Sequence, residues 1–233
     1  MSQDQRLVIG LNGSPRKGWN TDMLVTEALR GAAEEGAQTK AFDLYQLYFK
    51  GCCSCFSCKT KSGYLGGVCA LKDELSPILE LLRKATGLVL GSPIYLWNVT
   101  GAVRNFIERY GFINLEYNPE SPSILLSGPG VGLIYTMGVP ESALKNIGAD
   151  FVFSALKKLF LDRIKSPVVE ELYACDTKQF TDYGRYQAPA FDPIHKKKFH
   201  EEDFPKRLQR ALEIGRALGK VTELPKFRDY PQK

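Results

Sequence analysis

The stretch Leu7-Val8-Ile9-Gly10-Leu11-Asn12-Gly13-Ser14-Pro15-Arg16-Lys17-Gly18-Trp19-Asn20-Thr21 decides how this chain is read. An apolar run, Leu7–Leu11, breaks at Asn12-Gly13 into small and polar residues. Asn20-Thr21-Asp22 then opens an amphipathic segment with residue types that cap helices. A strand feeding a helix through such a loop makes an anion pocket, because free backbone N–H groups and the positive end of the helix dipole point at one spot. The loop is not a Walker motif, since Gly18 is followed by Trp19-Asn20. Nor do Gly10, Gly13 and Gly18 match the Gly-x-Gly-x-x-Gly spacing. Ser14, Asn20 and Thr21 offer neutral hydrogen bonds, with Arg16 and Lys17 beside them, a set suited to a terminal monophosphate. The alternative is an ordinary strand-to-helix turn.

The remaining totals narrow the class. A chain of 233 residues, 44% hydrophobic, is long enough to bury a full core. Its net charge of +5 is scattered, and the one dense run, Lys196-Lys197-Lys198, is too short to argue for nucleic acid. No apolar run reaches membrane-span length, and Met1–Gln5 lacks a signal-peptide core, so a cytoplasmic location with no membrane partner is expected. In that reducing compartment six cysteines point to metal ligation or redox chemistry more than to disulfides. Two histidines and no Gly-x-Ser-x-Gly elbow leave little material for a serine-hydrolase triad or a His-rich zinc site.

Working outward from the first strand, strand and helix patterns alternate. Lys40–Leu47, Thr86–Leu90, Val131–Met137 and Pro167–Ala174 read as further strands. Asp73–Lys84, Val99–Tyr110, about 140–160 and Glu201–Gly219 read as helices. Short apolar strands separated by helices predict an α/β fold, a doubly wound parallel sheet covered on both faces. With five strands the expected order is the flavodoxin-like 2-1-3-4-5. Residues 1–175 would form this domain, with a cysteine-rich insertion at 50–72. Residues 176–233 would form an arm and a helix packing on the same domain or on a dimer partner. Phe180, Tyr183, Tyr186 and Phe191 give 176–200 the look of a packed arm over an interface or a ligand mouth. The plainer alternative is a loop laid over its own domain.

In such a sheet the ligand sits outside the carboxyl ends of the strands, between strands one and three. The loops after strands one, three and four then face one crevice. The second of them is Gly91-Ser92-Pro93-Ile94-Tyr95-Leu96-Trp97-Asn98-Val99-Thr100-Gly101. Pro93 stiffens the strand exit, and Ile94 to Trp97 supply an apolar wall of the kind a flat aromatic ring needs. Backbone N–H groups from Tyr95 to Asn98, the Asn98 amide and the Thr100 hydroxyl face polar ring edges. Tyr95 and Trp97 read as core or interface aromatics in the alternative. The third loop is Thr136-Met137-Gly138-Val139.

These three motifs resemble the flavodoxin-like, FMN-dependent reductases, a family that includes NAD(P)H-dependent FMN and quinone reductases and the iron–sulfur flavoproteins. The resemblance covers about residues 6–175. It implies FMN, with the phosphate held by Ser14, Arg16, Asn20 and Thr21. It implies an isoalloxazine ring against Pro93, Ile94, Tyr95, Leu96 and Asn98, with Thr136 and Gly138 on the remaining side, and Tyr95, Trp97 and Asn98 would shape the ring face where donor and acceptor stack. No side chain need be catalytic, since the flavin carries the chemistry. Trp19 stands where the family varies and receives no role. NAD(P)H as electron donor and a homodimer or homotetramer are likewise implied by the resemblance alone.

Cys52, Cys55 and Cys58 form a C-x2-C-x2-C run, with Cys69 after ten intervening residues, Cys53 interleaved and Cys175 far away. Three thiolates at this spacing suit three irons of one 4Fe–4S cube, with the fourth ligand from a looser position. Structural zinc fits the spacing poorly. Buried or redox-inert thiols are the alternative. The iron–sulfur flavoproteins carry a compact cysteine motif in the same place, but this chain inserts Ser62-Gly63-Tyr64-Leu65-Gly66-Gly67 before Val68-Cys69. The expected function is therefore an FMN-dependent oxidoreductase moving electrons from NAD(P)H to a small acceptor such as a quinone or flavin. The alternatives are an iron–sulfur electron carrier served by a ferredoxin-like donor and a non-catalytic flavin-binding module.

Overall fold

Parallel strands joined by helices carry the chain through most of its length. The computed structural model describes residues 6–60, 67–146 and 148–228. In order they form β1 (Leu7–Asn12), α1 (Asn20–Glu34), β2 (Gln38–Asp43), α2 (Ser76–Leu82), β3 (Gly87–Tyr95), β4 (Asn98–Val99) and α3 (Gly101–Asn114). Then follow β5 (Leu125–Ser127), β6 (Gly130–Thr136), α4 (Ala149–Asp162), β7 (Val169–Ala174), α5 (Pro193–Glu202), α6 (Phe204–Gly219) and β8 (Lys226–Phe227). The parallel strands run in the spatial order β2-β1-β3-β6-β7, while β4 folds back antiparallel on β3. The sheet thus has six strands rather than the expected five, and β5 with β8 makes a separate antiparallel ribbon.

Alternation along the central strands explains the layers, because successive side chains point to opposite faces and both faces are covered. Ile9, Leu88, Leu90, Leu133 and Tyr135 face a core built with α2, α3 and α4. Val8, Val89, Ile134 and Leu172 face α1 and α6. The second layer is unusually close. A Cβ on Gly215 would lie 1.7 Å from the Ala28 carbonyl oxygen, and one on Gly31 would lie 2.1 Å from that of Leu212. Only glycine lets α6 approach α1 this closely.

Several boundaries differ from the sequence expectation, each for a local reason. The second strand stops at Asp43, and Leu44–Gln46 forms a 3-10 turn. The third strand does not end at Leu90 but continues through Pro93 to Tyr95. Pro93 is tolerated there because β1 pairs with β3 only as far as Gly91, so the missing N–H costs no ladder bond on that side. The helix expected near 140–160 is a 3-10 turn at Glu141–Ala143 followed by α4. The last helix is two, because Pro205 in the first turn of α6 cannot continue α5. The register matters most for the site. Asn12 stands opposite Asp43 and Gly91, and Thr136 opposite Pro93 and Ala174, so the strand ends meet at one edge.

Candidate functional site: a cleft at the carboxyl edge of the sheet

The loop after β1 is shaped by Asn12. Its Oδ1 accepts the Ser14 N–H at 3.0 Å, and its Nδ2 donates to Asp43 at 3.0 Å and Asp22 at 3.2 Å. The Gly13 N–H reaches the Gly91 carbonyl at 2.8 Å, and the Thr100 hydroxyl donates to the Gly13 carbonyl at 2.9 Å. A Cβ at position 13 would fall 2.1 Å from Val103, so the loop is pressed against the next crossover. The helix starts differently from the sequence reading. Trp19 is the N-cap residue and makes no side-chain cap, while Asp22 reaches back to the Gly18 N–H at 2.6 Å. The N–H groups at the start of α1 therefore have no intrahelical acceptor.

Four predicted phosphate residues gather on one cleft of about 240 Å³: Ser14, Arg16, Asn20 and Thr21. The Ser14 hydroxyl oxygen accepts from the Arg16 N–H at 3.1 Å, leaving its own hydrogen to donate. Thr21 and Thr136 share a hydrogen bond of 2.7 Å, so Thr136 braces Thr21 from behind instead of lining the cleft. The Arg16 guanidinium lies 3.3 Å over the Trp19 ring, which gives the unassigned tryptophan a place on the wall.

The opposite wall is Pro93, Ile94 and Tyr95. Burial, helped by neighbouring Tyr45, raises the Tyr95 phenol above its usual pKa and keeps it protonated. After Tyr95 the chain turns at Leu96 and Trp97, both with positive φ (47° and 66°), and returns through β4. This is the geometry of a two-residue hairpin turn that normally takes Asn-Gly. It lifts Leu96 to 93% exposure and Trp97 to 52%, outside the cleft lining. Asn98 is also exposed, and its Oδ1 is engaged by the Val99 N–H at 2.9 Å. Of the six predicted ring residues, three form the wall and three form an outer rim.

A third wall holds Met137 and Gly138, and with them Thr177, Lys178 and Gln179, which the sequence reading placed only within a 176–200 arm over an interface or a ligand mouth and did not name. The signal was present: β7 lies beside β6, so its polar exit faces the same edge. The Thr177 N–H and hydroxyl both donate to the Met137 carbonyl, at 2.9 and 3.0 Å. The Asn20 amide donates to the Lys178 carbonyl at 2.9 Å. Two cationic residues and no carboxylate line the cleft.

The cysteines form a second locus. Cys52, Cys53, Cys55, Cys58 and Cys69 surround one cavity of about 20 Å³ beside Phe112 and Ile113. The buried Arg109 donates to Cys69 Sγ at 3.1 Å, to Asp73 at 2.7 Å and to the Lys50 carbonyl at 3.1 Å. Ser54 and Phe56 adopt left-handed backbone, at φ 55° and 57°. Hydrogen bonding from Ser57 lowers the exposed Cys55 thiol, whereas burial raises Cys58. Space for about one water is left between these thiols. Among the described residues no group of three or more His, Cys, Asp or Glu is placed to hold a metal ion. As arranged, Cys52, Cys55, Cys58 and Cys69 converge but do not fit a 4Fe–4S cube. The inserted residues 62–66 lie outside the described residues. Cys175 is apart, buried at the end of β7 with its thiol pushed up to about 11.

Residues 7–143, more than half of the chain, match the model of the NADPH-dependent FMN reductase family. The chain belongs to that family. It is 37% identical over 102 residues to an iron–sulfur flavoprotein of Methanocaldococcus jannaschii, a match covering 44% of this chain and 50% of the relative. With two further iron–sulfur flavoproteins it likewise spans about half of the relative's length. An FMN-dependent NADH-azoreductase of Bacillus anthracis, solved with FMN, superimposes with a TM-score of 0.62 at 13% identity. That likeness covers 93% of this chain and 100% of the neighbour. An NAD(P)H:quinone oxidoreductase of Methanothermobacter marburgensis gives 0.59 at 16% identity, over 92% and 99%. Both likenesses establish the shared fold.

For this FMN reductase family member the cleft passes a chemical test of fit. A monophosphate needs several donors and positive potential without competing carboxylates. The Ser14 hydroxyl, the second Asn20 amide hydrogen, the Arg16 guanidinium and the start of α1 meet that need, with the Thr21 hydroxyl beside them. A flat apolar ring needs a wall with little polarity, which Pro93-Ile94-Tyr95 supplies.

Proposed function

We propose that this protein is an FMN-dependent oxidoreductase that takes electrons from NAD(P)H and passes them to a small acceptor such as a quinone or a flavin. The observation that carries the reading is the carboxylate-free cleft where the ends of β1, β3 and β6 meet, donors on one wall and Pro93-Ile94-Tyr95 on the other. The redox chemistry, uptake of hydride or single electrons at the ring, is that of FMN. The chain's own residues bind, orient and control access. Ser14, Asn20 and Thr21 donate to the phosphate, and Arg16 neutralises it. Thr136 fixes the direction of the Thr21 hydroxyl. Pro93 and Ile94 exclude water from one side of the ring, and the protonated Tyr95 offers a neutral donor at the mouth. Leu96, Trp97 and Asn98 stand beyond that mouth, where donor and acceptor arrive in turn.

Purified protein mixed with FMN and then freed of unbound flavin by gel filtration should stay yellow at about one flavin per chain, and NADH or NADPH should bleach it anaerobically. A chain that leaves the column colourless overturns the reading. Convergence of five thiols on one cavity favours a second reading, an iron–sulfur electron carrier, which requires the 52–69 loop to rearrange. Iron and sulfide analysis of anaerobically purified protein decides it, and absence of both removes it.

A further inference from the structure

We propose that Lys196 is a positioning residue for the cofactor cleft: it ties α5 to the Gly138 carbonyl and the Asp176 carboxylate, so that Thr177–Gln179 close the third wall. The inference rests on the FMN reading above. Lys196 is 3% exposed, although lysine is almost never buried without partners. Its ammonium donates to the Gly138 carbonyl at 2.6 Å and is ion-paired to Asp176, with the Phe191 ring face 5.0 Å away. The buried ammonium is thus met by a carbonyl, a carboxylate and a ring face.

Asp176 needs such a hold. It has left-handed backbone, φ 57°, a costly conformation for a residue other than glycine. Its N–H donates to the Val139 carbonyl at 2.8 Å, and its carboxylate also meets His195 Nε2 at 2.5 Å. Burial alone would raise this carboxyl, yet Lys196 and His195 keep it below the usual range. The turn at Asp176 sends the chain back across the cleft. Gln179 then lies so close to Gly138 that a Cβ there would be 1.6 Å from its Nε2, and the Tyr183 hydroxyl donates to its Oε1 at 3.2 Å. One ammonium therefore joins the exit of β6 to the exit of β7 at the point where both border the cofactor.

Lys196→Met keeps the aliphatic stem and removes the charge. At a temperature well below its unfolding midpoint, this variant should bind FMN about tenfold more weakly and give an altered visible circular dichroism of the bound flavin. Lys196→Arg, which keeps a cation with donors, should recover part of the affinity. Gln179→Ala removes the wall without touching the ion pair and should weaken FMN in the same direction, which covers the case that Lys196→Met fails to fold. Wild-type affinity and an unchanged flavin spectrum in a folded Lys196→Met, or wild-type affinity in Gln179→Ala, overturn the inference while leaving the FMN reading intact. Failure of the wild-type chain to take up FMN overturns both.

Discussion

At the residue scale the cleft works by assigning each polar atom one task. Asn12 is spent on shaping the loop, so it is a builder of the cradle rather than a donor to it. Ser14 has its hydroxyl hydrogen left over, and Ser14→Ala should cost about 1.5–3 kcal/mol of FMN binding, the worth of a hydrogen bond to a charged group. Riboflavin, which lacks the phosphate, should bind both forms alike. Paired fluorescence titrations check this, and an equal loss for both ligands would place Ser14 elsewhere. Thiol reactivity separates in the same way. Exposed Cys55, its thiol lowered by hydrogen bonds from Ser57, should label with maleimide well before buried Cys58 and Cys175 at neutral pH. Mass mapping of partly labelled protein gives the order.

At the scale of elements, the loop after β1 was legible because its residue types announce a strand, a tight turn and a helix start. What was not legible was the tertiary use of those residues. Asn20-Thr21-Asp22 reads as a capping run, yet the cap position fell to Trp19, because Thr21 is drawn to Thr136 and Asn20 to Lys178. Pro93 reads as a strand stop, and only the early end of β1 shows why the strand passes through it. The Leu96-Trp97 turn carries two positive-φ residues without glycine, so Leu96→Asn with Trp97→Gly should stabilise the fold by about 1–2 kcal/mol. A higher denaturant midpoint with a poorer kcat/KM would show that the exposed rim is kept for function. In the opposite direction, Gly215→Ala forces α6 off α1 and should cost about 3 kcal/mol or more, read as a lower Tm.

For the whole molecule, the alternation of strands and helices made the layered architecture readable, while short or non-local elements stayed hidden. The β5–β8 ribbon joins segments about a hundred residues apart, and neither has a pattern long enough to be seen. The wall at Thr177–Gln179 was legible only as part of the 176–200 arm, and it takes the packing on Met137 and Gly138 to pick out those three residues. The net charge set the expectation of no nucleic-acid partner, and no helix among the described residues is long and apolar enough to cross a membrane. Acid should loosen the molecule at a definite place. The folded Asp176 carboxyl titrates below its unfolded value, so its contribution is complete above about pH 4 and is lost as pH falls through the folded pKa. A plot of Tm against pH should drop there, and Asp176→Asn should flatten that part of the curve.

The tight seat of α6 on α1 also sets an order of events during synthesis. The anion cradle lies within the first 21 residues, but the helix that backs it and the wall that completes it come from residues 177–219. A ribosome must therefore release nearly all of this chain before the cradle gains its support. On the FMN reading, a nascent fragment ending before residue 177 should retain no FMN after gel filtration, while the chain carried through residue 219 should.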